Sequence, residues 1–252
     1  MSSTLWLVVI LALAIASPYL IGPILVRARA GTSAHHSFDA IPDEHARALF
    51  PASFFSTIYE LEALGFSLIA HLSSASGARA HTIVSLLTNP VSKTMASVAS
   101  IVPLVPGAFP VVTTFVEFTT EFEDGSEINT LNNPTVRIFY DVPKKTIIKI
   151  PHLKDMYRLY QVHLYLIGQM KSRAVLPDAG TEGAHFSASF EGSLAQQVEL
   201  GFYSLDEAAE RYRHTWRGAI RTAWRLLWPA KQILEYRQTR DGRSIAKAAG
   251  VR

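Results

Sequence analysis

The sequence predicts an α+β protein: a mostly antiparallel sheet packed with helices, behind one N-terminal apolar helix and ahead of a long basic C-terminal helix. Three observations lead there. Residues 81–150 are rich in valine, threonine, phenylalanine and isoleucine and alternate over short stretches, which is the period of strands. The segments on either side carry apolar residues at helical spacing. A hydrophobic content of 48% over 252 residues is enough to build a packed core.

The elements follow in chain order. Residues 1–26 contain no charged side chain, and the run from Leu5 to Val26 is apolar almost throughout. As a helix that run rises about 33 Å, the thickness of a bilayer's hydrocarbon core, and residues 1–28 are therefore expected to be a transmembrane anchor. Pro18 and Pro23 are tolerated in such a helix. A cleaved signal peptide is the rival reading, but it wants a basic start and a shorter apolar core. Arg27 and Arg29 follow the run, so the positive-inside rule places the remaining chain in the cytoplasm, tethered to the inner membrane by a single pass.

Residues 29–50 read as a linker leading into a helix. Residues 51–175 read as the α+β domain. It opens with Pro51, a good first-turn residue, and apolar positions at 54, 58, 61, 65 and 68; Gly65 is placed to end that helix early. Two strands follow, over 81–88 and 94–102. The stretch 111–130 is the clearest hairpin. Val112, Thr114, Val116, Phe118, Thr120 and Phe122 share one face and Thr113, Glu117, Thr119 and Glu121 the other, where Phe115 breaks the pattern; Asp124-Gly125 supplies the turn. Residues 136–142 and 145–150 read as two further strands, giving a sheet with one wet face. The uncharged stretch 94–116 is long enough to raise a second membrane span, but three prolines and its β-branched residues favour strand, loop, strand, with an apolar loop between. From 151 the period returns to helical, with Leu153, Met156, Tyr160, Leu164, Ile167 and Met170 in one stripe. Residues 176–203 read as a loosely structured connection. Ser204 and Glu207 form a capping box for a basic amphipathic helix over 204–240, ended or kinked at Trp228-Pro229, and 241–252 is a tail.

Charge is unevenly distributed. Arg211 to Arg252 hold 11 Lys+Arg and 2 Asp+Glu, a net of +9; the totals are 24 and 21, so residues 1–210 hold 13 and 19, a net of −6. The basic segment contains three of the four tryptophans. Arg213, Arg217, Arg221 and Arg225 recur every four residues beside Trp216, Trp224 and Trp228. Indoles at headgroup level and arginines on lipid phosphate suit a helix lying on a bilayer, and these seven residues are expected to be a membrane interface. The alternative is a helix packed on the sheet with snorkelling arginines. Nucleic-acid binding ranks last, since no recognised module is present.

Four stretches carry a resemblance. "YELEALGFSL", "VEFTTEFEDGSEINTLNN", "PHLKDMYRLYQVH" and "RHTWRGAIRTAWRLLWPAKQI" resemble a group of uncharacterised bacterial membrane-anchored proteins, with an lealGF helix, an F-x-D-G…T-x-N hairpin and a TW-x-GA…WP tail. The resemblance implies a shared architecture and a membrane setting, and it implies no reaction.

Chemistry is thinly signalled. With no cysteine, disulfides, thiolate catalysis and cysteine-ligated metal are excluded. No H-E-x-x-H, G-x-S-x-G, Walker A or Rossmann glycine pattern occurs. Glu117 and Glu121 share a strand face and are candidate binding or acid–base residues, although such a pattern on an open sheet face is commonly solvation. Asn129 and Asn132 are further candidates, with local turn bonding as the ordinary alternative. Nine histidines include His35-His36 in the linker and His163 on a helix, where a core histidine with hydrogen-bonded ring nitrogens is the common fate. No catalytic residue, metal or cofactor is expected. The function that fits is a membrane-anchored accessory or scaffold protein without catalytic activity, with lipid and a membrane protein as partners. A lipid or small-amphiphile binder and a membrane-bound enzyme are the alternatives.

Overall fold

The computed structural model describes residues 3–34, 38–50, 52–74, 80–103, 113–136 and 139–251. His35, His36, Pro51, Val112 and most of the apolar loop before it lie outside the described residues. The elements run α1 (Ser3–Arg29), β1 (Gly31–Ser33), β2 (Asp39–Ile41), α2 (Asp43–Leu49), α3 (Ala52–Ala63), β3 (Ser67–Ser74), β4 (Ala80–Asn89), β5 (Thr94–Pro103), β6 (Thr113–Phe122) and β7 (Glu127–Leu131). They continue with β8 (Lys145–Lys149), α4 (Met156–Ile167), β9 (Ala174–Val175), α5 (Glu182–Glu199), β10 (Tyr203–Asp206), β11 (Arg211–His214), α6 (Trp216–Leu226) and α7 (Ala230–Ala248). Two compact units share them. The first comprises Met1–His35, Val136–Tyr140 and Glu191–Tyr236, and the second comprises His36–Thr135, Asp141–Phe190 and Arg237–Arg252.

The second unit is the α+β body. Its sheet runs β2-β3-β4-β5-β6-β7-β8, with β9 paired to the end of β6. Every pair is antiparallel except β7–β8. The expected strand over 136–142 is not found among the described residues of that stretch. The described residues between β7 and β8 add no strand to the sheet, and β8 runs parallel to β7.

The β6–β7 hairpin follows its alternation. Val116, Phe118, Thr120 and Phe122 are buried, while Glu117, Thr119 and Glu121 are half-buried. Gly125 closes the turn at φ +74, a conformation glycine takes without strain. The buried face packs against Phe54, Ile58 and Leu61 of α3, Met156, Leu159 and Val162 of α4, and Ala246 of α7. α3 stops at Ala63 because Gly65 turns at φ +88 and the Phe66 amide donates back to the Leu61 carbonyl, 3.1 Å away. The chain beyond, whose apolar spacing also suits a helix, is strand β3. On α4 the apolar face is rotated from the expected stripe: Leu159, Val162 and His163 are fully buried and Leu164 is exposed.

His163 is the centre of a buried polar chain. Its Nε2 lies 2.9 Å from Thr120 Oγ1 and its Nδ1 3.0 Å from Thr130 Oγ1, while Thr94 Oγ1 lies 3.0 Å from Thr120 Oγ1. Desolvation by burial holds the imidazole well below its ordinary range, at about 3. The ring is neutral, one nitrogen donating and the other accepting.

The first unit contains α1, a three-stranded sheet in the order β1-β11-β10, and α6. The expected transmembrane anchor is overturned here. Among the described residues, no helix is long and apolar enough to cross a membrane. The apolar run of α1 is broken by Ser17, Pro18, Gly22 and Pro23, and one of its sides is taken up by α6. Tyr19 meets the Trp224 ring at 5.3 Å, a Cβ on Gly22 would sit 3.3 Å from the Ala223 Cβ, and the Arg27 guanidinium lies over the Trp216 ring. The single-pass signal anchor, the inner-membrane location and the orientation drawn from Arg27 and Arg29 go with it.

Two further readings change. The Ser204–Glu207 segment, expected to cap a helix, is strand β10 and its turn, paired to β11 from Tyr203↔His214 to Asp206↔Arg211. α6 starts at Trp216, capped by Thr215, whose Oγ1 accepts from the Gly218 amide at 3.1 Å. The expected loose connection over 176–203 contains the 18-residue helix α5. Its small residues obscure an apolar row at Phe186, Phe190, Leu194 and Val198, four apart each time.

Candidate functional site

In the second unit, the face of β6 and β7 opposite the main core carries a small cleft of about 250 Å³. Strand pairing places its charges. Glu121 on β6 sits directly across from Glu127 on β7, and Glu127 directly across from Lys145 on β8. Two carboxylates opposite one another repel, so each needs a counter-charge or donor. Lys145 Nζ meets Glu127 Oε1 at 2.9 Å, and His185, from the first turn of α5, brings Nε2 to 2.6 Å from Glu121 Oε1. Gly125, Ser126, Ala188 and Ser189 complete the lining.

A carboxylate bonded to an imidazole is an acid–base unit. The hydroxyl of Ser126 already donates to Asp124 Oδ1 at 2.6 Å, and this bond holds the Asp124 carboxyl below its usual range. No grouping of three or more histidine, aspartate and glutamate side chains able to hold a metal occurs among the described residues.

A second hydrogen-bonded chain joins Ser85 Oγ to His71 Nδ1 at 2.6 Å and His71 Nε2 to Asp43 Oδ1 at 2.7 Å. Its residue types match a nucleophilic triad. Ser85, however, is fully buried in the middle of β4, and the imidazole stands among the Phe50 and Phe55 rings. The chain ties α2 to β3 and β4, and a substrate carbonyl has no route to the hydroxyl.

The asparagine candidates divide. Asn132 is buried and both ends of its amide are used: Oδ1 accepts from the Val116 amide at 2.8 Å and Nδ2 donates to the Leu153 carbonyl at 3.3 Å. It bridges β6 to the segment before α4. Asn132→Ala is expected to lower the unfolding free energy by about 1–3 kcal/mol, because it strands a buried amide and a buried carbonyl. Urea denaturation checks this, and a change within about 0.5 kcal/mol would remove the bridging role. Asn129 is buried in β7 opposite Thr119, and its Oδ1 has no hydrogen-bond partner among the described residues. Glu117 is half-buried on the same sheet face as Glu121.

In the first unit the arginines meet rings of their own chain. Tyr140 and Phe202 stack with centroids 3.4 Å apart. Gln197 holds Tyr140 in place through both backbone groups: the Tyr140 amide donates to Oε1 at 3.0 Å and Nε2 donates to the Tyr140 carbonyl at 3.4 Å. The guanidinium of Arg217 lies 4.6 Å from the Phe202 centroid, that of Arg221 4.2 Å from Tyr140, and that of Arg225 5.1 Å from Tyr140. Arg213, on β11, pairs with Asp206 at 3.0 Å. Trp216, Trp224 and Trp228 remain exposed. Of the seven residues expected at a membrane interface, the guanidinium groups thus have aromatic, backbone and carboxylate neighbours within the chain, and the indoles are open to the surroundings.

No family model, curated protein or solved structure matches this chain. The site is thus read from its own geometry. Sequence reasoning reached Glu121 and the arginine row. It missed His185, Lys145, Gln197, Tyr140 and Phe202, each distant in the chain from the residue it touches. A signal existed only for His185, one position before Phe186 in the apolar row of α5.

Proposed function

We propose that this chain is a non-catalytic accessory or scaffold protein that holds a partner protein against an apolar surface of its first unit. The observation that carries this is the exposed side of α1. Leu7 is 68% exposed, Ile10 63%, Leu13 62% and Leu20 68%, and Ile21 and Ile24 are exposed beside them. Trp216, Ile220 and Trp224 on α6 are exposed as well. Monomeric soluble proteins seldom leave contiguous apolar patches larger than a few hundred Å² uncovered, and larger ones mark interaction sites. Support also comes from the thin chemistry of the cleft, where each charged group is answered by a neighbour.

The test is a photo-crosslinking amino acid at Ile10, Leu13 or Ile24 of the full chain, expressed in its native host, with Val91 of the second unit as an exposed control. The same crosslinked protein is expected from all three α1 positions and not from Val91. Absence of a common product, or a product shared with Val91, overturns the reading. Crosslinks to lipid alone would favour the amphiphile-binding alternative. The enzyme alternative keeps one specific observation, the 2.6 Å contact of His185 with Glu121 in the lining of a cleft.

A further inference from the structure

We propose that Arg217 and Arg221, with Arg225 beside them, form a ladder that binds the acidic row of an amphipathic helix in a partner protein. The inference rests on the docking role given above to the first unit and names the chemistry of what docks.

The ladder is preorganised. Thr215 caps α6, and Gly218 and Ala219 are buried beneath the helix, so the arginine backbones are held in place. Stacking on Tyr140 and Phe202 holds the guanidinium planes of Arg217 and Arg221. Ring stacking uses the face of a guanidinium and leaves its in-plane N–H donors for oxygen acceptors. Arg217 spends one of these on the Leu200 carbonyl, at 3.4 Å. Neither Arg217 nor Arg221 has a carboxylate within ion-pair distance among the described residues, whereas Arg213 is already paired with Asp206. Both are exposed, in a chain segment with a net charge of +9.

Spacing selects the ligand. Residues four apart on a helix have Cβ atoms about 6 Å apart, so a second helix with carboxylates at i and i+4 presents the matching repeat. Arginine and carboxylate then pair through two parallel hydrogen bonds. The neighbouring strip selects between anionic partners. Ile220 and Trp224, each three positions after an arginine of the row, are exposed beside it, and apolar groups there suit the apolar face of an amphipathic helix rather than a phosphate backbone.

The experiment uses the full chain and three fluorescent probes: a designed amphipathic helix of about 20 residues with glutamates four apart beside a leucine row, a peptide of the same composition with the glutamates dispersed around the helix, and single-stranded oligouridylate. Anisotropy at low salt should show the first peptide binding at least about tenfold more tightly than the second, with affinity falling as salt is added. The double change Arg217→Gln with Arg221→Gln should remove that preference. Because these side chains also cover Tyr140 and Phe202, Arg217→Lys with Arg221→Lys is measured beside it; charge is kept there and the planar fork is lost, and its affinity should lie between the two. Equal binding of the two peptides, or a preference unchanged in both variants, overturns the ladder. So does tighter binding of oligouridylate with the same dependence on Arg217 and Arg221. If α1 positions crosslink to one protein while the peptides show no preference, docking stands and the acidic helix falls.

Discussion

Gly218→Ala is expected to destabilise the first unit by about 3 kcal/mol or more, the upper range for forcing extra volume into a packed site. Gly218 lies in the first turn of α6, and a Cβ there would overlap the Phe202 carbonyl. Backbone cannot yield as the end of a flexible side chain can. That carbonyl also accepts the Thr215 amide, 3.0 Å away, so retreat would break the join between β10 and the helix start. The strain would spread to the Phe202 ring, its stack with Tyr140 and the arginines over them. Urea denaturation followed by tryptophan fluorescence reads the loss, since three of the four tryptophans lie between residues 216 and 228. Gly192→Ala is the control. Gly192 is in α5, and nothing lies within 4 Å of the point its methyl group would occupy, so alanine there should add about 0.5–1 kcal/mol through helix propensity. If both changes have the same sign, the close approach at Gly218 does not govern the docking of α6.

The second large effect is on pH. His163 has a folded pKa of about 3 because burial disfavours its charged form, against an ordinary value of 6.5. Between those values the unfolded chain binds a proton that the folded chain refuses. Stability contributed by the neutral ring is therefore complete above about pH 6.5 and is lost as pH falls toward 3, with a slope of up to about 1.4 kcal/mol per pH unit. The whole loss is on the order of 4–5 kcal/mol. His152 and His214 are also pushed down by burial, and they act in the same direction. The measurement is therefore a difference: unfolding free energy against pH for the native chain and for His163→Gln, in which the other groups still titrate. The curves should converge as pH falls from 6.5 toward 3.5, because only the native chain has this histidine to protonate on unfolding. Parallel curves would sink the assignment of a neutral, buried imidazole.

Legibility in the sequence tracked the range of the interaction. The β6–β7 hairpin was readable because its alternation and its Asp124-Gly125 turn are local. The stop at Gly65 was readable for the same reason. The edge of what local pattern can do appears at β3, where the apolar run after Gly65 suits a helix and a strand equally and sheet pairing decides. Helix α5 was hidden by glycine, alanine and serine, although Phe186, Phe190, Leu194 and Val198 keep a four-residue spacing. The arginine row was visible as a row, but its aromatic neighbours were not: Tyr140 precedes Arg221 by about eighty positions, and nothing near it announces a stack. Glu121 was visible as a carboxylate on a strand face, while its imidazole arrives from α5, a helix that composition concealed. In α1 the apolar length was legible and the conclusion from it was not, because the Gly22 side that meets Ala223 is set by a helix from the other end of the chain.

That last relation has a consequence for biogenesis. The first unit takes α1 and β1 from the start of the chain and β11 and α6 from near its end, with Gly31 paired to Arg213. A ribosome adds about 5–20 residues per second, so α1 emerges roughly 10 to 40 s before its packing partner exists. Throughout that interval its leucines and isoleucines are uncovered on every side. The chain thus presents a nascent apolar segment until α6 is made, and it should depend on holding factors at the exit tunnel in proportion to how slowly residues 36–190 are translated.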